Sequence, residues 1–324
     1  MLPRHAARRA QRLLALAVAL FAASAATAQV AVTAADAANS AVQIELGIGH
    51  ESNDAPMFRF SPEGALVYLP GHSRLAGALV QAALSRSWDM PLTGDWQWHV
   101  DGRLDTRQAP RASDLDFSQL QANTFVRHPL AGGTAGVGLS LQQLWVARAR
   151  FQRQAAIQLD WTWVGTGDRL VYLNLEAARP RHVAEWRDLD GSVLQASVNL
   201  RQGVSWPGVQ DLDLMGGVRR DRNRHGYADL DHHGAYLRGA IEGGRGRLSW
   251  DIALMLQATT YRAALDESLP ARREHSRTWS LGLGWQLEPG CDLRLNLTAA
   301  RNHARPALYD NHLHSALLSM ATVW

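Results

Sequence analysis

One cysteine, Cys291, in 324 residues rules out an internal disulfide as the staple of an exported chain. Lysine is absent altogether, so every basic side chain is arginine or histidine. A genomic codon bias explains a preference that uniform, and arginine as a residue type therefore carries no functional message here. Beyond residue 28 no run approaches the roughly 20 apolar residues that a spanning helix needs. No phosphate-binding glycine loop stands between a strand and a helix, and nothing calls for a cofactor or a resident metal.

The segment MLPRHAARRAQRLLALAVALFAASAATA, residues 1–28, has a basic start (Arg4, Arg8, Arg9, Arg12), an apolar core and a small-residue exit. That is the pattern of a cleaved export signal. No cysteine follows the apolar core, so a lipid-anchored mature N-terminus is not expected. The signal contains no acid, and removing its four positive charges turns the formal net charge of +3 into −1. The basicity of the whole chain is then no argument for nucleic acid. Residues 29–40 read as a short periplasmic segment and residues 41–324 as one domain.

Within that domain apolar residues recur at every second position, as Leu281, Leu283, Leu295 and Leu297 do around the Pro-Gly of LGLGWQLEPGCDLRLNL. Period two with turn signals between runs predicts strands. They fall at 42–50, 74–88, 96–105, 119–128, 134–147, 154–163, 169–179, 193–204, 211–221, 235–242, 247–262, 277–288, 292–300 and 314–324, fourteen in all. Junctions alternate. MPLTGD, HPLAGG, VGTGD, SWPGVQ, GGRG and EPGC are short, and those between them are mostly long and charged. Short turns on one rim and longer loops on the other predict a fourteen-stranded antiparallel transmembrane β-barrel of outer-membrane type. In water the apolar faces would pack inside a sandwich; in lipid a closed sheet satisfies its own backbone and turns them outward. By parity Arg86 also falls on the lipid side, where it must snorkel to the rim or be rephased by a bulge.

If odd strands run outward, Trp88, Trp96, Trp98, Trp161, Trp163, Trp206, Trp250, Trp285 and Trp324 gather at the short-turn rim. Amphipathic rings there form a girdle at the headgroup boundary. The terminal Trp324 suits a C-terminal strand read by the barrel-assembly machinery. Expected partners are therefore that machinery and outer-membrane lipid. Parity also nominates inward-facing, lumen-lining groups: His99, Asp101, Arg103, Arg127, Asp160, Glu176, Arg201, Arg238, Glu242, Asp251 and Arg294. Such groups either line a conduit or pair between strands to stiffen the wall. The loop RNRHGYADLDHH offers His225, Asp229, Asp231, His232 and His233, but without tight ligand spacing it reads as a solvated loop.

The segment GIGHESNDAP, residues 47–56, carries two resemblances. Its His50-Glu51-Ser52-Asn53 resembles the His-x-Ser-Asn of outer-membrane phospholipase A and lipid A deacylase, which implies a histidine that deprotonates a serine for attack on a lipid ester. Continuing the parity of Ile48, His50 and Ser52 face lipid at the outer end of the first strand, and Asp310, His312 or His314 of the last strand could approach them on closure. The same residues, with Gly47, Gly49, Ser52, Asn53, Ala55 and Pro56 matching, resemble the first barrel strand of the surface lipoprotein assembly modifier family. Asn302, Pro306, Leu308, Tyr309 and the aromatic C-terminus are similar to that family's last strands. This likeness implies a fourteen-stranded outer-membrane conduit that moves a lipoprotein cargo to the cell surface, here without the helical repeats that usually precede the barrel. A passive diffusion pore is a further reading.

Overall fold

A computed structural model of the chain describes residues 40–60, 66–110, 116–130, 132–146, 148–264, 270–307 and 310–324. The export signal and the segment after it lie outside the described residues, as do Leu308 and Tyr309. Fourteen antiparallel strands follow: β1 (Ser40–Phe60), β2 (Leu66–Pro91), β3 (Gln97–Gln108), β4 (Phe117–Leu130), β5 (Gly133–Val146), β6 (Ala149–Val164), β7 (Arg169–His182), β8 (Gly191–Gly203), β9 (Val209–Asn223), β10 (His232–Arg245), β11 (Leu248–Tyr261), β12 (Arg273–Glu288), β13 (Cys291–Arg305) and β14 (Asn311–Val323). Each pairs with its sequence neighbours, and β1 pairs with β14, so the sheet closes with no free edge.

Closure is completed at the short-turn rim, where Val42 and Trp324 exchange both backbone hydrogen bonds at 2.9 Å. The six short turns each pass through a glycine with φ between +63° and +81°: Gly94, Gly132, Gly167, Gly208, Gly246 and Gly290. Any other L residue would be strained in that left-handed conformation, which is why all six turns spend a glycine there.

Side chains alternate across the wall. Ile48, Leu141, Ile157 and Leu194 on the outer face are each more than half exposed, and similar residues continue around the cylinder. A soluble monomer does not carry so much contiguous exposed apolar surface, whereas acyl chains solvate it. This is an outer-membrane β-barrel. The inner face is polar or small: Ala156, Ala178 and Val193 lie side by side in register and are buried beneath longer neighbours. Trp88, Trp98, Trp161, Trp163, Trp250 and Trp285 share the outer parity near the short-turn rim, with Trp96 in a turn and Trp324 just past β14. Trp98 donates from its indole N–H to Thr124 Oγ1 at 2.6 Å.

Two expectations are refined. The register between β1 and β2 runs unbroken past Arg86, so no bulge rephases it. Its guanidinium instead lies 4.5 Å over the Trp88 ring, snorkelled to the rim. The same two strands also extend far beyond 42–50 and 74–88, pairing up to Phe60 and Leu66. Above the membrane backbone pairing alone sustains a hairpin, and no lipid imposes the alternation from which strands were read.

Candidate functional site

The inner wall is a web of ion pairs and hydrogen bonds within and between strands. Arg127 of β4 reaches past β5 to Asp160 of β6, donating from Nη2 at 2.8 Å and Nε at 3.2 Å. His99 lies between Asp89 and Asp101, its Nδ1 2.7 Å from the first and its Nε2 3.4 Å from the second. Asp101 also accepts from Asn123 at 2.8 Å. Arg103 grips Asp105 with two donors at 2.7 Å, and Glu176 accepts from Gln158 at 2.7 Å. Arg201 lies 2.7 Å from Asp211 and 3.4 Å from Glu242, and Arg238 lies 3.1 Å from Asp213. Asp251 Oδ1 occupies the space where Gly282 would carry a Cβ. Arg294 is inward and exposed, with no ion pair among the described residues.

Sequence reasoning missed some members of this web. Glu51, the variable position of the His-x-Ser-Asn segment, points inward and accepts from Arg107 of β3 at 2.8 and 3.1 Å. Asp211 and Asp213, the partners of Arg201 and Arg238, were also missed. Parity could have named all three, but it gives no strand-to-strand offset, and the offset decides which charges meet.

On the opposite face His50 and Ser52 point toward lipid. Ser52 stands directly opposite His314 of β14, and His50 opposite Ala316. The three line an outward-opening groove of about 550 Å³, floored by Ala299 and Ala316 and walled by Trp279, Leu281, Leu297 and Ile252. Among the described residues no hydrogen bond joins Ser52 Oγ to either imidazole. Of the other last-strand candidates, Asp310 instead accepts from the Ala304 N–H and faces His303 at 3.3 Å. His312 lies one pair further out, opposite Asp54 in register.

Outside the apolar belt the loops use their polar groups for themselves. Asn223 Oδ1 accepts from the N–H groups of His225 and Tyr227, and Asp231 Oδ1 accepts from the Asn223 N–H at 2.6 Å. Among the described residues no cluster of three His, Cys, Asp or Glu is arranged to hold a metal. A short 3-10 helix, Ala184–Leu189, caps the β7–β8 connection, and Asp190 ties it down by accepting from the His182 N–H at 2.6 Å. Burial acts to raise the Asp190 carboxyl, but the backbone and imidazole bonds of His182 and the charge of Arg181 outweigh it. The carboxyl is held below its ordinary range. Burial lowers the His182 imidazole, and Asp190 offsets this in part.

No protein-family model and no curated protein matches the chain. Solved structures with a similar outline include a mutant of the TodX monoaromatic hydrocarbon channel, at 10% identity and a TM-score of 0.45 over 89% of this chain and 91% of that one. OccAB4 of Acinetobacter baumannii gives 8% identity and a TM-score of 0.45 over 89% of this chain and 99% of that one. OpdK of Pseudomonas aeruginosa gives 11% and 0.45 over 88% and 99%. Likenesses of this strength concern the outline of a barrel and leave its cargo open.

Proposed function

We propose that the chain is a conduit that exports cargo across the outer membrane, in the manner its resemblance to surface lipoprotein assembly modifier barrels implies. The observation that supports this best is that inward-facing charges stay open to the lumen although they are paired. The Arg103 and Arg219 side chains are each 43% exposed and that of Glu242 40%, inside a cylinder whose outer face is apolar. A water-bearing lumen with arginine and carboxylate on its wall suits a polar polypeptide better than an apolar solute. Lipoprotein cargo on the inside and the assembly machinery at Trp324 are the partners this reading requires.

Planar-bilayer recording tests it. An export conduit gives a closed baseline that opens when cargo engages. Large, steady open steps from the refolded barrel alone indicate a passive diffusion pore instead and remove the export reading.

The common outward face of His50, Ser52 and His314 supports a second reading, an outer-leaflet lipid hydrolase. There Ser52 Oγ would attack an ester carbonyl as an imidazole takes its proton, and the imidazolium would return that proton to the departing lipid alcohol as the ester C–O bond breaks. Water would then hydrolyse the acyl-serine to free the fatty acid and Ser52. Fatty-acid release from phospholipid or lipid A vesicles by the wild type, abolished in Ser52→Ala, is the expected result of that reading. Equal release from both proteins, or none from either, removes it.

A further inference from the structure

At the outer ends of the last strands, the lipid-facing side carries a ladder of basic side chains, four of them arginines. On β12 the outward positions above Trp279 are Arg277, His275 and Arg273. Their cross-strand partners on β13 are Arg301, His303 and Arg305, so arginine faces arginine twice and histidine faces histidine once. Arg301 in turn faces His312 of β14. All six residues of the ladder are exposed.

Like charges placed directly opposite one another destabilise a sheet. The usual remedy is a carboxylate nearby, but among the described residues none of these four arginines makes an ion pair, and His303 alone meets an acid, Asp310 at 3.3 Å. The acids of this wall are turned the other way. Glu274, between Arg273 and His275, is buried on the inner face. Since the chain has no lysine, the choice of arginine means nothing, but its placement does. Uncompensated cations at the boundary between apolar belt and headgroups call for an anion supplied by the membrane itself.

What lies directly below the ladder identifies that anion. Arg277 and Arg301 stand one side-chain step, about 7 Å along the strand, above Trp279 and Ala299, which line the outward groove. Its volume of about 550 Å³ and apolar walls suit an acyl chain. A cationic fork above an apolar furrow, both open to the bilayer, is complementary to an amphiphile with its phosphate uppermost.

We propose that this face binds a phosphate-bearing lipid of the outer leaflet, its phosphate on Arg277 and Arg301 and an acyl chain in the groove beneath Trp279. The site is independent of the export reading, which concerns the inner wall. It is also independent of hydrolysis, since it needs neither His50 nor Ser52 as a reactive group.

The test uses the full barrel in a nonionic detergent and follows its thermal unfolding midpoint. The probes are lipid A, the same lipid stripped of its phosphates, and inorganic phosphate, each with wild type, Arg277→Gln/Arg301→Gln and, as a control at the opposite rim, Arg86→Gln. The phosphorylated lipid is expected to raise the midpoint of wild type and Arg86→Gln by several degrees, and that of the double variant by less than a third as much. The stripped lipid and free phosphate are expected to leave all three in place. Without lipid the double variant should melt no lower than wild type, because a repulsion has been removed. An equal rise in wild type and double variant, or an equal rise with the stripped lipid or with inorganic phosphate, overturns the proposal. Should the double variant fail to refold, native mass spectrometry of the wild type decides. Retention of phosphorylated over stripped lipid supports the site, and equal retention overturns it.

Discussion

Replacing Arg127 by methionine keeps most of the stem and removes the cation that Asp160 was built to meet. The Asp160 side chain is 1% exposed and accepts from both Nε and Nη2 of Arg127, so the variant leaves a buried carboxylate without its cation. Removing one partner of a fully buried pair costs about 3–5 kcal/mol. Arg127 is 30% exposed to the lumen, however, and water can replace part of what it gave. Halving the figure on that ground leaves about 2 kcal/mol, roughly a thirtyfold change in the folding equilibrium. Asp160→Asn in the same background discharges the stranded group and should recover about half of the loss. Urea unfolding of the barrel in lipid vesicles, extrapolated linearly, measures all three proteins. If Arg127→Met costs less than about 0.5 kcal/mol, as an ordinary surface change does, the pair does not brace the wall and the reasoning fails.

Other consequences follow from the same geometry. A Cβ on Gly136 would lie 2.1 Å from Asp160 Oδ1 and 2.9 Å from Arg127 Cγ, so Gly136→Ala should destabilise the barrel and be clearly non-additive with Arg127→Met in the same unfolding assay. Deleting Trp324 removes the reciprocal bonds with Val42 and should slow folding into vesicles, followed by the mobility shift of the folded band; unchanged kinetics would count against that closure. The Asp190 tie should loosen in acid in two stages. His182 is lowered in the fold, so the unfolded state takes up its proton first and stability is lost as pH falls below 6.5. Asp190 is lowered too, so its contribution is present above 3.8 and is lost as pH falls through its lower folded value. Hydrogen exchange of amides 183–191 should show both stages, with Asp190→Asn abolishing the lower one; protection that stays flat from pH 7 to 3 would contradict this.

Much of the cylinder was legible because lipid imposes its pattern on the chain. Leu281, Leu283, Leu295 and Leu297 must alternate with inward residues, and each short turn must spend a glycine, so strand number and orientation follow from local sequence. What was not legible is relational. Nothing near Ser52 announces that His314, more than 250 residues away, stands opposite it, because the β1–β14 register is set only when the sheet closes. The reach of Arg127 across β5 and the inward turn of Glu51 within a motif read for chemistry have the same origin: parity assigns a face, and stagger assigns a partner. The tall β1–β2 hairpin was invisible because above the membrane no solvent boundary enforces alternation.

The most direct test of a closed barrel with acyl chains outside and water inside is a cysteine scan of β6 in a Cys291→Ser background. Residues 155 to 160 would be labelled singly with a fluorophore, and quenched in vesicles by brominated acyl chains or by aqueous iodide. Labels at 155, 157 and 159 should respond to the lipid quencher, and those at 156, 158 and 160 to iodide or to neither. Strong iodide quenching at 157 and 159, or a lipid response without a period of two, would contradict the barrel at its foundation.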